Sequence, residues 1–534
     1  MEENKRYVVL ISLVVALGGF LMGFDASVIS GVIKFIEVEF DLSKIQLGWA
    51  VSSLTLSATF AMMVSGPLSD KYGRKVLLKS AALLYTISAI GSALAPSFWF
   101  LVVARMIGGL GVGASLILAP MYIAEISPAK LRGRMVSFNQ LNIVLGISVA
   151  FFSNYLILKL GSLDAAWASG LGFAEYNWRW MLGLETLPAA FYFFSLFIVP
   201  ESPRWLVMKG KEQEGLEIMI KASGETQARG EVKAVHESVA LESGKDKVKI
   251  SELFKPAMRL VLTIGIAIAI LQQITGINSV FFYAPMIFEQ SGIGTDASFS
   301  QAILVGLTNL IFTIFAIGLI DKFGRKPLLG FGVAGIAIFM FVLAGGFYSA
   351  SYTLTDSSIE KLPDTIDKGK LILIQDKTFD SDVDFKNALT LVLGEKAAKE
   401  SESDLISSAI DMNPYFILIG ILGFVASFAI SIGPVMWVLF SELFPNRLRG
   451  LAISFVGLIN SGVSFSVQLI FPWELSKFGS SGTFFIYGVF ALIGLIFIMR
   501  VVPETKGKSL EELESILVKS PAKKEEAKPV FAEN

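Results

Sequence analysis

The chain has 534 residues, of which 53% are hydrophobic and 17% are charged. Soluble domains carry roughly 25% charged residues, so this composition indicates a protein that crosses a membrane many times. The formal net charge of −1 gives no bulk attraction to nucleic acid, and the absence of cysteine excludes disulfides, thiolate metal sites and cysteine nucleophiles. The single histidine, His236, lies in a polar segment, so neither a histidine metal site nor a histidine proton relay is expected.

Apolar stretches long enough to cross a bilayer recur along the whole chain. A membrane-spanning helix needs about 20 mostly apolar residues. No small-residue cleavage site follows a short apolar core near the start, so the first stretch is expected to be an uncleaved span. We predict an all-α membrane protein with twelve transmembrane helices in two pseudo-symmetric six-helix bundles and short intracellular helices. The predicted spans lie near residues 7–31, 47–68, 77–95, 99–123, 135–158, 181–199, 259–289, 301–320, 328–349, 413–438, 450–475 and 482–502.

A short charged signature occurs twice, each time between two apolar stretches. Residues 69–75 read SDKYGRK and residues 320–326 read IDKFGRK, 251 positions later. Two further pairs of motifs follow in the same order. They are 125–133 with 442–450, and 200–203 with 503–506. Three paired motifs indicate a duplicated six-helix unit, which is how many secondary transporters are built around a central site.

Basic residues in the short loops predict the orientation in the membrane. The loops at 69–76, 128–134 and 321–327 each carry lysine or arginine, and such loops mark the cytoplasmic side. All three fall on one side if both termini are cytoplasmic. We therefore expect a multi-pass protein of the cell inner membrane with both termini in the cytoplasm.

The motifs divide the chain into two bundles and three other segments. The insert, residues 350–412, is polar with a short apolar run and is expected outside the cell, where a small folded lid and a disordered loop both fit. Residues 509–518 read as an amphipathic helix, and the tail from Lys519 as disordered. The predicted segments are an N-terminal bundle at 1–199, an intracellular helical linker at 200–258, a C-terminal bundle at 259–502 that contains the insert, and a cytoplasmic tail at 503–534.

Five further motifs point to one family. They are GFDASVISG at 23–31, RMIGGLGVG at 105–113, PESPRW at 200–205, QQITGIN at 272–278 and PETKG at 503–507. With the two repeated signatures, they make the chain from about residue 7 to 518, without 350–412, resemble the sugar porter family of the major facilitator superfamily. It is most similar to bacterial proton-coupled xylose symporters and their hexose and pentose relatives. PESPRW together with QQITGIN is more specific for sugar porters than the repeated signature, which marks only the superfamily.

The resemblance implies a transporter with the major facilitator fold, and not an enzyme. Its expected partners are a small-molecule sugar, a proton and the lipid bilayer, with no cofactor, no metal and no nucleic acid. The chain is expected to act as a monomer.

Amide side chains in one apolar span form the candidate sugar site. Gln272, Gln273 and Asn278 can each donate and accept hydrogen bonds, as a sugar hydroxyl does. Gly276 is expected to loosen the helix locally, so that Gln273 before it and Asn278 after it reach one cavity. The alternative is that these amides only bond neighbouring helices to each other.

The resemblance adds four residues to the same pocket and a gate beside it. It implies that the ring of Trp437 lies against the C–H face of the sugar, and that Tyr283 gates the site from outside. Sugar porters often carry tryptophan where this chain has Ser461, which implies a wider pocket and leaves the choice of sugar open. The residues added by resemblance are Gln140, Asn309, Trp437 and Asn460.

Asp25 lies in the middle of the first predicted span, Arg105 in the fourth and Glu185 in the sixth. Charges at such depth are costly, so they are expected to be paired or functional. In the proton symporters that the chain resembles, an aspartate at the position of Asp25 pairs with the arginine, whereas facilitative glucose transporters typically carry asparagine. Protonation of Asp25 is therefore expected to release Arg105, with Glu185 tuning the pair. The alternative is a static salt bridge that never titrates.

A charge network is predicted at the cytoplasmic ends of the helices. We expect it to join spans and to lock the outward-facing state, breaking as the inner gate opens. The alternative is solvated loop charge that only orients the protein. Its members are Asp70, Arg74, Glu125, Arg132, Glu201 and Arg204 in the first half, and Asp321, Arg325, Glu442, Arg449 and Glu504 in the second.

The resulting prediction is proton-coupled symport of a neutral monosaccharide, a pentose or a hexose, by alternating access. The first alternative is a proton-independent sugar uniporter, which differs in whether Asp25 titrates. The second is a sugar sensor that binds without transport, against which the short segment after Lys519 argues. A membrane enzyme is remote, because no catalytic constellation is present.

Overall fold

The computed structural model describes residues 4–243, 249–445, 447–508 and 510–517. Within these ranges, ten helical segments are long and apolar enough to cross a membrane. They correspond to twelve spans, because the segment Arg449–Val501 contains two spans and the sixth span consists of two helices that are each too short to be counted. The tail from Lys519, predicted to be disordered, lies outside the described residues. The spans are numbered in chain order.

The first half contains spans 1 to 6. Polar caps begin several of these helices, as where Ser43 and Gln46 form a capping box at the start of span 2. Gly73, with a φ of 101°, separates spans 2 and 3 in a conformation that favours glycine. Span 6 is broken near Glu185. Spans 1 to 5 are Lys5–Glu39, Lys44–Tyr72, Arg74–Ala93, Phe98–Ile126 and Ala129–Gly161, and span 6 consists of Asn177–Gly183 and Thr186–Ser195, preceded by the short helix Ala166–Gly170.

The second half contains spans 7 to 12, and two of its helices are interrupted. Span 7 breaks at Gly276 and span 10 breaks at Ser431. Spans 11 and 12 are two helices that meet at Gly479, where φ is 68°. The helices are Arg259–Ile274 and Ile277–Glu289 for span 7, Gly294–Phe323 for span 8, Arg325–Tyr348 for span 9, Pro414–Ile430 and Ile432–Leu443 for span 10, and Arg449–Val501 for spans 11 and 12.

Most helices extend beyond the predicted spans, as span 1 does with Lys5–Glu39 against 7–31, and two regions differ in other ways. Span 6 was expected near 181–199, but its helices run from Asn177 to Ser195. The loop expected between 475 and 482 is helical except for one turn at Gly479. A single left-handed glycine reverses the direction of the chain there, so no longer loop is needed.

Short helices link the two halves and follow the last span. They are amphipathic, as predicted, and Val207, Met219, Ala228 and Val232 form a small apolar core of their own. The linker helices are Pro203–Met208, Glu212–Ser223 and Glu225–Ser243, followed by the 3-10 turns Ile250–Phe254 and Pro256–Met258, and the helix after span 12 is Leu510–Leu517.

The insert, residues 350–412, is folded. Three short antiparallel strands form a sheet in the order β2–β1–β3, and residues such as Tyr352, Phe385 and Leu405 build a separate apolar core. The insert is therefore folded rather than a disordered loop, and its three short strands are a small addition to a helical membrane protein. The elements are β1 Ser351–Thr353, β2 Thr378–Phe379 and β3 Ile410–Asp411, with helical segments Asp356–Glu360, Lys368–Leu371, Ile372–Ile374, Asp382–Leu393, Glu395–Glu400 and Glu402–Ala409.

Bonds between the two halves cluster towards one end of the bundle. We call the end with the loops after Tyr72 and Phe323 the hinge end, and the opposite end, which carries the insert, the insert end. Lys34 pairs with Glu289 at 2.9 Å, and Lys159 pairs with Asp296 at 2.6 Å, both across the halves near the insert end. None of the ion pairs described at the hinge end joins a span of one half to a span of the other.

Candidate functional site

The break in span 7 brings two predicted sugar-site residues together. Gly276 has a φ of 89°, the left-handed conformation, and interrupts the helix between Ile274 and Ile277. Across this break, the amide of Asn278 donates to Oε1 of Gln273 at 2.8 Å. The predicted interruption at Gly276 is therefore confirmed, and it lets residues from both helix segments meet.

A third amide joins this pair from span 11. Gln273 donates to Oδ1 of Asn460 at 3.2 Å, and Asn460 donates to Oε1 of Gln272 at 2.8 Å. Asn460 also donates to the backbone carbonyl of Ala269 at 2.9 Å. Gln272, Gln273 and Asn460 are all buried. The result is a cluster of uncharged donors and acceptors deep in the second half.

The helix that begins after the break in span 10 contacts the same cluster through two backbone carbonyl groups. At Ser431 the backbone leaves the helix, with φ −126° and ψ −103°. The carbonyls of Ile432 and Gly433 then accept from Nε2 of Gln272 at 3.4 and 3.3 Å. Trp437 follows one helical turn after Gly433 and is 44% exposed. An accessible indole therefore lies on the same helix as the backbone that meets the amide cluster.

Two residues of the cluster were missed by the sequence analysis. Ser464 accepts from Asn278 at 2.7 Å and from Gln468 at 2.8 Å. Gln468 also accepts from Thr55 of the first half at 3.0 Å, so it joins the two halves. Asn460, Ser464 and Gln468 are spaced by four residues, which places them on one face of a helix. That spacing was the signal that could have identified them.

The remaining predicted sugar-site residues are placed less centrally. Asn309 of span 8 is buried, and Gln140 of span 5 is exposed, but neither bonds to the amide cluster among the described residues. Tyr283 is fully buried, and its hydroxyl donates to the carbonyl of Gln468 at 3.0 Å. Its backbone departs from helical geometry, so it marks a second irregular point in span 7.

Two aromatic rings from spans 11 and 12 pack against the irregular part of span 7. Tyr487 packs against Gly276, and its ring stacks on Phe471 with centroids 6.3 Å apart. Phe471 in turn contacts Tyr283 at 5.0 Å. The hydroxyl of Tyr487 donates to Glu474 at 2.8 Å. The rings therefore pack against span 7 at both of its irregular points, Gly276 and Tyr283.

Gly276→Ala should weaken sugar binding and lower the melting temperature. An added Cβ would overlap the ring of Tyr487, and alanine is strained at this positive φ, by roughly 1–3 kcal/mol. The matched control is Gly457→Ala in span 11, where no atom lies within 4 Å of an added Cβ and helix propensity improves. Thermal melting and sugar binding in detergent would check this. Equal melting temperatures and affinities for the two variants would contradict the strained turn.

The three buried ionisable residues meet in the first half. Nη1 of Arg105 lies 3.4 Å from Oδ1 of Asp25, and the Nε of Arg105 donates to the carbonyl of Ala50 at 3.0 Å. Glu185, at the break in span 6, is near enough to interact electrostatically with both. At most 2% of each of these residues is exposed. The structure thus brings together Asp25, Arg105 and Glu185, which are far apart in sequence.

This group, which we call the buried charge trio, is incompletely paired. Oδ2 of Asp25 and Oε1 of Glu185 have no hydrogen-bond partner among the residues that the structure describes. The contact between the side chains of Arg105 and Asp25 is long for a charged pair, since such bonds are usually about 2.7–2.9 Å, and Nη2 of Arg105 also donates to the backbone carbonyl of Asp25 at 3.4 Å. One guanidinium cannot neutralise two carboxylates, and an uncompensated buried charge is costly. A proton on either carboxyl group would neutralise the trio.

The first-half members of the predicted charge network form a compact cluster. Arg74 binds Glu125 through Nε and Nη2, both at 3.1 Å, and contacts Asp70 at 2.7 Å. Glu201 accepts from the backbone amides of Arg74 and Lys75 at 2.9 and 3.0 Å. These contacts join spans 2, 3 and 4 to the start of the linker.

The second half repeats this arrangement. Arg325 binds Glu442 at 2.7 Å, and Glu504 accepts from the backbone amides of Arg325 and Lys326, both at 3.1 Å. Thr505 donates to Glu442 at 2.6 Å, as Ser202 donates to Glu125 at 2.5 Å in the first half. The side chain of Asp321 lies outside the described residues. The paired motifs of the sequence therefore correspond to paired ion clusters.

The network differs from the prediction in two ways. Its described ion pairs join spans within one half, so they do not bridge the halves directly. Three predicted arginines also lie apart from the acids: Arg132 donates to the carbonyl of Ala124 at 3.0 Å, Arg449 to that of Phe444 at 3.3 Å, and Arg204 is exposed without an ion-pair partner among the described residues. This part of the prediction rested on basic residues near helix ends and not on an acidic residue at the spacing needed for an ion pair.

Glu125→Gln should destabilise the fold strongly. Glu125 and Arg74 are 8% and 5% exposed, and losing a partner of a buried charge costs up to about 3–5 kcal/mol; in the described part of the chain, the buried guanidinium of Arg74 would keep only Asp70, which is 59% exposed, as an ion-pair partner. Glu225→Gln is the matched control, since its pair with Arg229 is exposed and worth at most about 1 kcal/mol. Thermal melting of the two purified variants would check the difference. A melting temperature of Glu125→Gln no lower than that of Glu225→Gln would contradict it.

Comparisons with known proteins agree over nearly the whole chain. A family described as "Sugar (and other) transporter" matches residues 11–361 and 389–517. The chain is 36% identical over 518 residues to the arabinose-proton symporter of Bacillus subtilis (strain 168), covering 97% of each chain. It is 34% identical over 548 residues to the D-xylose-proton symporter of Escherichia coli (strain K12), covering 96% of each chain.

A solved structure shares the fold. The inward open conformation of the xylose transporter XylE from E. coli matches with a TM-score of 0.72 and 33% identity, covering 96% of this chain and 100% of that chain. The family match leaves out only residues 362–388 of the insert. The expectation that all of 350–412 lacks a counterpart is therefore wrong at both ends of the insert.

Proposed function

This chain belongs to the sugar transporter family of the major facilitator superfamily, and we propose that it is a proton-coupled symporter of a neutral monosaccharide. The two halves, residues 1–199 and 259–502, rock about a central site and open it to each side in turn. The cycle needs no covalent chemistry and no cofactor. One chain contains both halves of the site, so a monomer suffices.

The amide cluster is the observation that carries this proposal. Gln273, Asn278 and Asn460 meet at the break in span 7 and offer only uncharged donors and acceptors. Such groups match the hydroxyls of a neutral polyol and give no preference to a charged substrate. Trp437, with Gln140 and Asn309 from the facing spans 5 and 8, completes the proposed pocket, and Tyr283 acts as its gate.

The buried charge trio is the proposed proton site. When a proton binds, Asp25 becomes neutral and its attraction to Arg105 falls, which frees span 1 to move against span 4. Glu185 supplies a second carboxyl group beside the pair and tunes how strongly the proton is held. Ionisable residues inside a membrane are costly, and proton relays are one of the functions for which transporters retain them.

The proposed orientation places the hinge end and both termini in the cytoplasm. The hinge loops carry Lys71, Arg74 and Lys75 in the first half and Lys322 in the second, and basic short loops stay on the cytoplasmic side. With this orientation, the contacts between the halves near the insert end close the outside, so this conformer faces inward. The two ion clusters at the hinge end then hold each half rigid, so that it moves as a body.

Pentoses are the first substrates to test, because the relatives named above are symporters of arabinose and xylose. Purified protein in liposomes would be assayed for counterflow of radiolabelled xylose, arabinose, glucose, galactose and myo-inositol. The proposal expects counterflow with at least one monosaccharide and competition by its unlabelled form. Absence of counterflow and of binding with every sugar would contradict it.

A further inference from the structure

The insert contacts both halves of the molecule at the insert end. Its attachment to the second half is extensive: Asp382 accepts from the backbone amide and the hydroxyl of Ser480, both at 3.1 Å, at the turn between spans 11 and 12. Glu402 accepts from Gln290 at the end of span 7 at 3.1 Å. Both ends of the insert also continue directly into spans 9 and 10. The insert is therefore fixed to the second half.

Its contacts with the first half are fewer and are ionic. Nζ of Lys399 lies 3.4 Å from Oδ1 of Asp41, in the turn between spans 1 and 2. Glu402 is also close enough to Lys44, at the start of span 2, to interact electrostatically with it. Within the insert, Lys386 pairs with Glu402 at 3.0 Å. Opening the insert end must therefore break the Lys399–Asp41 pair and separate Glu402 from Lys44.

Glu402 stays charged under ordinary conditions. Burial alone raises the pKa of this carboxyl group, but Lys386 and Lys44 outweigh burial and lower the pKa to about 2. Its attraction to the first half is therefore present at neutral pH and persists until the pH falls towards 2.

We propose that the insert is a latch: fixed to the second half, it holds the first half through Lys399 and Glu402 and so limits how often the insert end opens. This inference rests on the proposed alternation between two open states. A ligand that binds only the open form loses apparent affinity in proportion to the rarity of that form. The latch therefore lowers apparent sugar affinity from the insert side and favours the conformer described above.

Charge reversal at the edge of the latch tests this proposal with a matched control. Lys399→Glu puts a negative charge next to Asp41, whereas Lys396→Glu makes the same change one turn away, where Lys396 meets only Glu400 of its own helix at 4.0 Å. Lys399 likewise has a partner on its own helix, Glu395 at 2.9 Å, so both variants lose one such pair. The two variants differ because only Lys399→Glu places a negative charge next to a residue of the first half, Asp41.

The distance between the halves can be read directly, because the chain has no cysteine. Spin labels on Asp164→Cys and Lys477→Cys, both exposed at the insert end, report this distance by pulsed electron paramagnetic resonance in nanodiscs without sugar. Lys399→Glu should raise the ratio of long to short distances about fivefold, equivalent to about 1 kcal/mol. Lys396→Glu should leave it unchanged. Equal distributions in both variants would overturn the latch.

A second reversal separates the pair from other effects of Lys399. Adding Asp41→Lys to Lys399→Glu should restore the parent distribution, and failure to restore it would overturn the assignment to Asp41. The distances are measured without substrate, so they do not depend on the identity of the sugar. Absence of sugar counterflow in the unmodified protein would contradict the proposed function, while the distance shift would still decide whether the insert holds the halves together.

Discussion

Asp25→Asn should abolish uphill accumulation of sugar and leave sugar exchange intact. Asparagine nearly preserves the shape of the side chain but binds no proton at this position, so the buried charge trio loses its coupling to the proton gradient. A membrane potential of 100 mV supplies about 2.3 kcal/mol per proton, which corresponds to about 50-fold accumulation in the parent protein. In the variant the accumulation ratio should fall to about one.

The measurement is radiolabelled sugar uptake into proteoliposomes under an imposed potential, with counterflow measured in parallel. The control is Asp364→Asn, a fully exposed carboxylate of the insert whose one ion-pair partner in the described part of the chain is Lys368. It should accumulate sugar as the parent does. Full uphill transport by Asp25→Asn would assign the proton to another group and would make the Arg105 pair a static contact.

Gln273→Ala should weaken sugar binding by about 5- to 150-fold. Gln273 bonds Gln272, Asn460 and Asn278, so its removal leaves buried amide groups without partners as well as removing a donor and an acceptor from the pocket. An unsatisfied buried polar group costs about 1–3 kcal/mol. Because these groups are oriented for the sugar, the loss should be larger in sugar affinity than in thermal stability.

Isothermal calorimetry with the sugar identified by counterflow would measure this effect. The matched control is Gln213→Ala, at an exposed position in the linker where Gln213 donates only to Glu217. It should bind sugar as the parent does. If Gln273→Ala keeps the parent affinity, the amide cluster only bonds spans 7 and 11 to each other, which is the alternative that the sequence left open.

The features predictable from sequence were those with a strong local signal. The QQITGIN motif placed two glutamines before a glycine, and the structure has the break there. Asp25 and Arg105 stood out because charges are rare in apolar spans. The repeated signatures located Arg74 and Arg325, and the pairing of each with a glutamate of its own half follows the repeat.

The features that sequence did not predict depend on packing between distant segments. Ser464 and Gln468 are ordinary polar residues until span 11 packs against span 7 at Asn278. The strands of the insert are two or three residues long, too short for a periodic pattern to indicate. The segments that each ionic contact connects are likewise determined by how the helices pack together.

Sugar-evoked proton movement in proteoliposomes distinguishes symport from uniport in one measurement. The protein is reconstituted with a pH-sensitive dye outside the vesicles, and the sugar that supports counterflow is added without any imposed gradient. Under symport the outside becomes alkaline as sugar enters, and Asp25→Asn removes this signal while counterflow continues. Equilibration of radiolabelled sugar without any pH change in the parent protein would contradict symport and would establish a uniporter.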